Sequence, residues 1–132
     1  MVHSDRETLE ILRFELKFVE DGGYGRSPRA PWRPSFVFTD SPTCLNFNDS
    51  LRPHACEQCS LQRFVPDGQR EQPTPCWSIP VGANGESVED LFRCGTQLEM
   101  EEALKGWLRR EIGRLETQLI ASASVGQIQA TV

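Results

Sequence analysis

The stretch CLNFNDSLRPHACEQCSLQRFVPDGQREQPTPC, residues 44–76, constrains the structure of this chain more than any other part of it. It holds four of the five cysteines, and Cys56 and Cys59 form a C-x-x-C turn within it. Four thiolates can hold a zinc ion tetrahedrally, and C-x-x-C with flanking cysteines is a common spacing in such sites. The sequence therefore predicts a structural zinc ion with the ligands Cys44, Cys56, Cys59 and Cys76.

The composition explains why such a site is needed. Only 38% of the residues are hydrophobic, and the chain has nine prolines and ten glycines. Residues 40–80 show little regular periodicity, and a long loop without structure of its own is unusual in a compact domain. Zinc binding contributes about 10–16 kcal/mol of apparent free energy in small zinc domains, which is enough to order such a segment.

The residues leave alternatives to this site open. His54 or Cys94 can replace one of the four ligands, and an iron–sulfur cluster also uses four cysteines. The cysteines can also be small buried apolar residues without a metal. A C-x-x-C redox centre is a further alternative, although that motif normally opens a helix after a strand, and no such pattern surrounds it here.

Upstream of the cysteines, the sequence predicts a β-hairpin region over residues 12–40. Leu12, Phe14, Leu16 and Phe18 alternate with charged residues, which is the period of a half-buried strand. Gly22 and Gly23 follow as a turn, and a second strand is predicted at residues 35–39. The prolines between these two strands exclude a central strand over residues 24–34.

Downstream of the cysteines, the pattern is helical. Ser87 with Asp90, and Thr96 with Glu99, have the spacing of two capping boxes, and Asn84-Gly85 predicts a tight turn. A long amphipathic helix from about residue 97 to residue 120 is predicted by the apolar stripe Leu104, Trp107, Leu108, Leu115 and Leu119.

These elements together predict a small α+β protein. We expect a small antiparallel β-sheet or partial barrel, a loop-rich cysteine segment that binds zinc, and a C-terminal amphipathic helix. Residues 1–120 form a single domain in this interpretation, with the hairpin region at 12–40, the cysteine segment at 41–80 and the helical region at 87–120. Residues 121–132 are expected to be a flexible tail.

One part of the chain resembles a known family. Residues 18–23 (FVEDGG), the arm that ends at Trp32 and residues 33–38 (RPSFVF) resemble the C-terminal β-barrel domain of bacterial elongation factor Tu. The resemblance covers residues 12–40, and it departs from the family at Tyr24, where the family has arginine. It implies a β-barrel relative without nucleotide chemistry, since the chain contains no phosphate-binding G-x-x-x-x-G-K-[ST] loop. It also implies that the arm lies near an RNA-binding surface.

Charge and motifs limit the function. The net charge of −5 gives no general nucleic-acid footprint, so RNA binding would depend on a local patch of Arg26, Arg29 and Arg33. We see no signal sequence, membrane span or catalytic motif, and we expect a protein of a bacterial-type cytoplasm. The sequence therefore favours a non-enzymatic, zinc-stabilised protein-interaction module. An RNA- or translation-associated binding protein and a thiol redox protein are the alternatives.

Overall fold

The computed structural model describes residues 4–24, 37–46 and 55–130. Within these residues the protein has three α-helices, α1 (Asp5–Glu20), α2 (Val88–Cys94) and α3 (Gln97–Ala130). Four short 3₁₀-helices lie between α1 and α2, at Cys56–Gln58, Ser60–Phe64, Asp67–Gln69 and Pro75–Ser78. The described residues contain no β-strand, and their one isolated bridge pairs Pro80 with Ser87. The predicted α+β class, with its sheet or partial barrel, is therefore wrong, because the described chain is helical.

The predicted first strand is helix α1. Ser4 is its N-cap, and the Ser4 hydroxyl accepts a hydrogen bond from the Glu7 N–H at 3.1 Å. The alternation of apolar residues fits a strand, but the buried positions follow a helical spacing and leave Phe14 about half exposed. The buried residues of α1 are Thr8, Leu9, Leu12, Glu15 and Val19.

The two glycines after α1 end the helix rather than turn a hairpin. The Gly23 N–H donates to the Phe18 carbonyl at 2.8 Å, and the Gly22 N–H donates to the Val19 carbonyl at 3.2 Å. Gly22 has a φ of 81°, so these bonds form a Schellman motif. A Cβ on Gly23 would lie 2.5 Å from the Phe18 ring, so that position has no room for a side chain.

The second predicted strand is not observed either. Residues 35 and 36 lie outside the described residues, and residues 37–40 form turns. Phe38 has a φ of 68°, which is incompatible with a strand. The β-barrel implied by the resemblance to the elongation factor domain is wrong for the same reason, since the described parts of residues 12–40 are helix and turn.

The predicted capping boxes, tight turn and long helix of the C-terminal part are confirmed. Ser87 and Asp90 form a reciprocal capping box at the start of α2, and Thr96 and Glu99 bond reciprocally at the start of α3. Gly85 has a φ of 88°, and its N–H donates to the Gly82 carbonyl at 3.0 Å, as a tight turn requires. The end of α3 at Ala130 lies beyond the predicted end at residue 120.

Helices α1 and α3 pack against each other in antiparallel order. Arg13 pairs with Glu116 at 2.6 Å and Glu20 pairs with Arg109 at 2.9 Å, so the numbering rises along α1 as it falls along α3. These pairs are exposed and contribute at most about 1 kcal/mol each. The apolar seam contributes more, and it includes Leu9, Leu12, Val19, Leu104, Leu108 and Leu115.

Trp107 of α3 connects this seam to the irregular part of the chain. Its ring makes edge contacts with Phe64, at 5.1 Å between centroids, and with Phe38, at 6.2 Å. The cysteine segment therefore lies against the helix pair through aromatic contacts. No described helix combines the length and the apolar composition that crossing a membrane requires.

Candidate metal centre

Three separate segments carry the four predicted ligands. Cys44 follows a turn in which its N–H donates to the Ser41 carbonyl at 3.0 Å. Cys56 begins the first 3₁₀-helix, and Cys59 lies between the first and the second. Cys76 lies in the fourth 3₁₀-helix, Pro75–Ser78. The second of these helices packs against both the fourth and α1, which brings the segments together.

All four cysteines line a single small cavity. Its volume is about 30 Å³, and its walls also include Phe38 and Leu61. A space of this size admits one or two water-sized spheres, whereas pockets for drug-sized ligands span about 300–1,000 Å³. The cavity therefore has room for an ion and not for an organic substrate.

The cavity shows that the cysteines converge, not that an ion is bound. In the part of the chain that the structure describes, no group of three or more His, Cys, Asp or Glu side chains has the arrangement of a formed metal site. None of the five cysteines is in a disulfide, so no disulfide holds the segments together. The fit to a metal rests on the donor chemistry, since four of the residues that line this small space are cysteines.

Burial weakens these thiols as acids. Desolvation raises the pKa of Cys76, and the neighbouring Cys59, Cys44 and Cys56 raise it further. Desolvation also raises the pKa of Cys59, although a hydrogen bond from the Leu61 N–H opposes the effect. Thiolates at these positions need a compensating positive charge, which a divalent cation can supply.

The other predicted site residues are not part of this cavity. Cys94 is exposed at the end of α2 and does not line it, so its role as a substitute ligand is not supported. His54 lies outside the described residues, and so does the predicted RNA-binding patch of Arg26, Arg29 and Arg33.

A buried carboxylate fixes the loop that carries Cys44. Glu15 of α1 is fully buried and lies among three hydroxyl groups. The Ser41 hydroxyl donates to Glu15 Oε1 at 2.6 Å, and the Thr43 hydroxyl donates to the same oxygen at 3.0 Å. The Tyr24 hydroxyl donates to Glu15 Oε2. The cluster thus joins α1 to the residue immediately before Cys44.

The same cluster supports a strained residue in the cavity wall. The Tyr24 hydroxyl accepts a hydrogen bond from the Phe38 N–H at 2.9 Å. Phe38 is buried with a φ of 68°, a conformation that costs a bulky residue about 1–3 kcal/mol. Its N–H bond and its contact with Trp107 hold it in this conformation.

Sequence reasoning missed this cluster. The strand prediction places Glu15 on the solvent-exposed face, where a charged residue needs no partner. Its burial becomes visible in the sequence only when residues 5–20 are aligned as a helix, which places Glu15 on the same face as Leu12 and Val19. A glutamate in that apolar stripe is the signal that could have indicated a buried network.

Comparisons with known proteins identify no relative. No family model matches the chain, and no curated protein and no solved structure matches it either. The resemblance of residues 12–40 to the elongation factor domain therefore stays a prediction.

The buried carboxylate predicts a pH dependence of stability. Burial raises the pKa of Glu15 above its ordinary value of 4.5, and hydrogen bonds from Ser41, Tyr24 and Thr43 oppose the shift. A raised pKa means that the folded state binds the proton more tightly than the unfolded state. The contribution of Glu15 to the free energy of unfolding is therefore greatest below the pKa that Glu15 has in the unfolded chain. It falls as the pH rises through the pKa that Glu15 has in the folded protein.

We test this with wild type and Glu15→Gln by urea unfolding from about pH 4, near the unfolded pKa of a glutamate, to about pH 8. Both proteins contain the same cysteines, so the contribution of the cysteines cancels when the free energy of unfolding of the variant is subtracted from that of wild type. The stability of wild type relative to the variant should fall as pH rises. A relative stability that is constant or increases over this range contradicts the assigned direction.

Proposed function

We propose that this protein is a small non-enzymatic module in which a structural zinc ion, held by four cysteines, orders a surface that binds another protein. The observation that supports this proposal is the convergence of Cys44, Cys56, Cys59 and Cys76 on one cavity of about 30 Å³. Cysteine is the residue type that structural zinc sites use most, and four of the five cysteines of this chain line one ion-sized space.

Zinc would have a structural role in this site and not a catalytic one. The four sulfurs would hold the ion, and the ion would stabilise them as thiolates in a buried place that disfavours the charge. Four protein ligands leave no open coordination position for water or substrate, so hydrolysis is disfavoured. The residues themselves contribute the backbone turns, including the bond from the Cys59 N–H to the Cys56 carbonyl at 3.0 Å.

The geometry favours this proposal over a thiol redox enzyme. A redox C-x-x-C is typically at the start of an α-helix that follows a strand. Here Cys56 begins a 3₁₀-helix of three residues, and the described chain has no strand before it. Arg26, Arg29 and Arg33, on which the RNA-binding alternative depends, lie outside the described ranges, so that alternative stays a prediction.

A groove next to the cysteine cavity is the surface that we assign to the partner. Its volume is about 260 Å³, and it shares Leu45 and Cys59 with the cysteine cavity. Leu45 is 47% exposed, and it lines the groove together with Ile11 of α1 and with the acidic residues Glu7 and Glu10. A groove that combines apolar side chains with two acidic residues fits a peptide segment that has an apolar residue next to lysine or arginine.

The metal part of the proposal is tested by the mass and the stability of the purified protein. Native mass spectrometry should show one zinc ion per chain, and a chelator that removes it should unfold the protein. Cys44→Ser and Cys76→Ser should bind the ion much more weakly and be less stable than wild type, since the apparent binding free energy of about 10–16 kcal/mol in small zinc domains depends on the full set of ligands. Cys94→Ser is the matched control, because this cysteine is exposed and outside the cavity.

Two results would contradict the zinc proposal. One is a folded wild-type protein without a bound ion. The other is an equal loss of zinc in Cys94→Ser and in the two cavity variants.

The partner surface is tested by peptide selection. Zinc-loaded wild type is used to select from a library of displayed peptides, and peptides that also bind Leu45→Glu are removed. We expect the remaining peptides to combine a large apolar residue with adjacent basic residues. If no peptide distinguishes wild type from Leu45→Glu, or if the selected peptides are acidic, the groove is not the binding surface.

A further inference from the structure

We propose that Glu15 is a positioning residue for the cysteine site. Its buried carboxylate holds the loop of residues 37–44 in the conformation that turns Cys44 toward the other three cysteines. This inference rests on the proposed zinc site, and it adds a residue that touches no ligand of the metal and that the sequence did not predict.

The first observation is that Glu15 ties α1 to the residues just before Cys44. Both Ser41 and Thr43 donate to its Oε1, at 2.6 and 3.0 Å, and all three side chains are buried. The Ser41 hydroxyl also accepts from the Thr43 N–H at 3.2 Å, so the backbone beside Cys44 is part of the same network. A shift of this backbone would leave buried hydroxyls and a buried carboxylate without partners, which is costly.

The second observation is that the other end of the loop depends on the same carboxylate. Tyr24 donates to Glu15 and accepts from the Phe38 N–H, so Glu15 acts on Phe38 through the phenol oxygen. Phe38 has an unfavourable positive φ and lines the cysteine cavity. One carboxylate thus fixes the loop at Phe38, at Ser41 and at Thr43.

The third observation is that Cys44 relies on this anchor more than the other cysteines do. Cys56, Cys59 and Cys76 lie on or next to 3₁₀-helices that pack on one another. The loop of Cys44 has local backbone bonds, from Ser41 to Phe38 and from Cys44 to Ser41. Such bonds shape the loop but do not place it against α1, whereas the hydrogen bonds to Glu15 do.

The role of Glu15 should therefore appear as a selective loss of one ligand. Outer residues that orient metal ligands typically change metal affinity about 10–100-fold when they are replaced. A general loss of packing would instead weaken the whole fold and leave the set of ligands unchanged. The number of sulfurs bound to the metal separates these two effects.

The experiment uses cobalt(II), which replaces zinc in thiolate sites and whose visible absorption reports the number of sulfur ligands. We compare full-length wild type, Cys44→Ser and Glu15→Met, a variant of similar volume that has no oxygen acceptor and only a weakly accepting thioether. Glu15→Met should bind cobalt about 10–100-fold more weakly than wild type. Its spectrum should match the three-sulfur spectrum of Cys44→Ser.

Three further variants make the test specific. Glu15→Gln keeps an oxygen that can accept from Ser41 and Thr43, so it should retain the four-sulfur spectrum. Thr43→Val removes one donor, and it provides the same comparison if Glu15→Met does not fold. Leu115→Val alters a buried residue of α3 that does not line the cysteine cavity, and it controls for a general loss of stability.

The outcomes separate this inference from the proposed function. If wild type binds neither cobalt nor zinc, the proposed function fails and the inference fails with it. If wild type gives a four-sulfur spectrum and both Glu15→Met and Thr43→Val match it in spectrum and affinity, the positioning role is overturned while the metal site stands. The role is also overturned if Leu115→Val loses cobalt to the same degree.

Discussion

The described parts of the segment that joins α1 to α2 have to keep their conformation without a sheet and without a long helix. Its described parts consist of turns and 3₁₀-helices of three to five residues, which are too short to be stable by themselves. The aromatic contacts of Trp107 with Phe38 and Phe64 attach this segment to the helix pair. A cross-link through four sulfurs would fix its internal arrangement, which is the role that a hydrogen-bonded ladder has in a sheet.

The helix pair contributes more than an apolar platform to this arrangement. A fully buried carboxylate is unfavourable unless donors surround it, and the hydroxyls of Tyr24, Ser41 and Thr43 meet that requirement for Glu15. These donors come from the end of α1 and from the loop before Cys44. The electrostatic requirement of one residue therefore couples the orientation of the helix to the position of a cysteine, and the core and the site are not independent.

The sequence predicts the C-terminal half of the fold well because local signals there agree with each other. Capping residues, a turn glycine and an apolar stripe all indicate the same elements, and the structure has them. In residues 12–18 the apolar residues fit both the two-residue period of a strand and, in part, the 3.6-residue period of a helix. Their alternation therefore indicates a strand where a helix forms. The sequence predicts that the four cysteines come together, because C-x-x-C with flanking cysteines is a common metal-site spacing, and all four line one cavity. The Glu15 cluster could not be predicted, because it depends on tertiary contacts between α1 and a loop without periodicity.

The central claim is that a metal ion is held by four sulfur atoms in this cavity. X-ray absorption spectroscopy at the zinc edge tests it most directly, since it measures the identity, number and distance of the atoms around the ion. The account predicts four sulfurs at about 2.3 Å with no nitrogen or oxygen neighbour. A first shell that contains nitrogen or oxygen, or a folded protein that retains no zinc to measure, would contradict it.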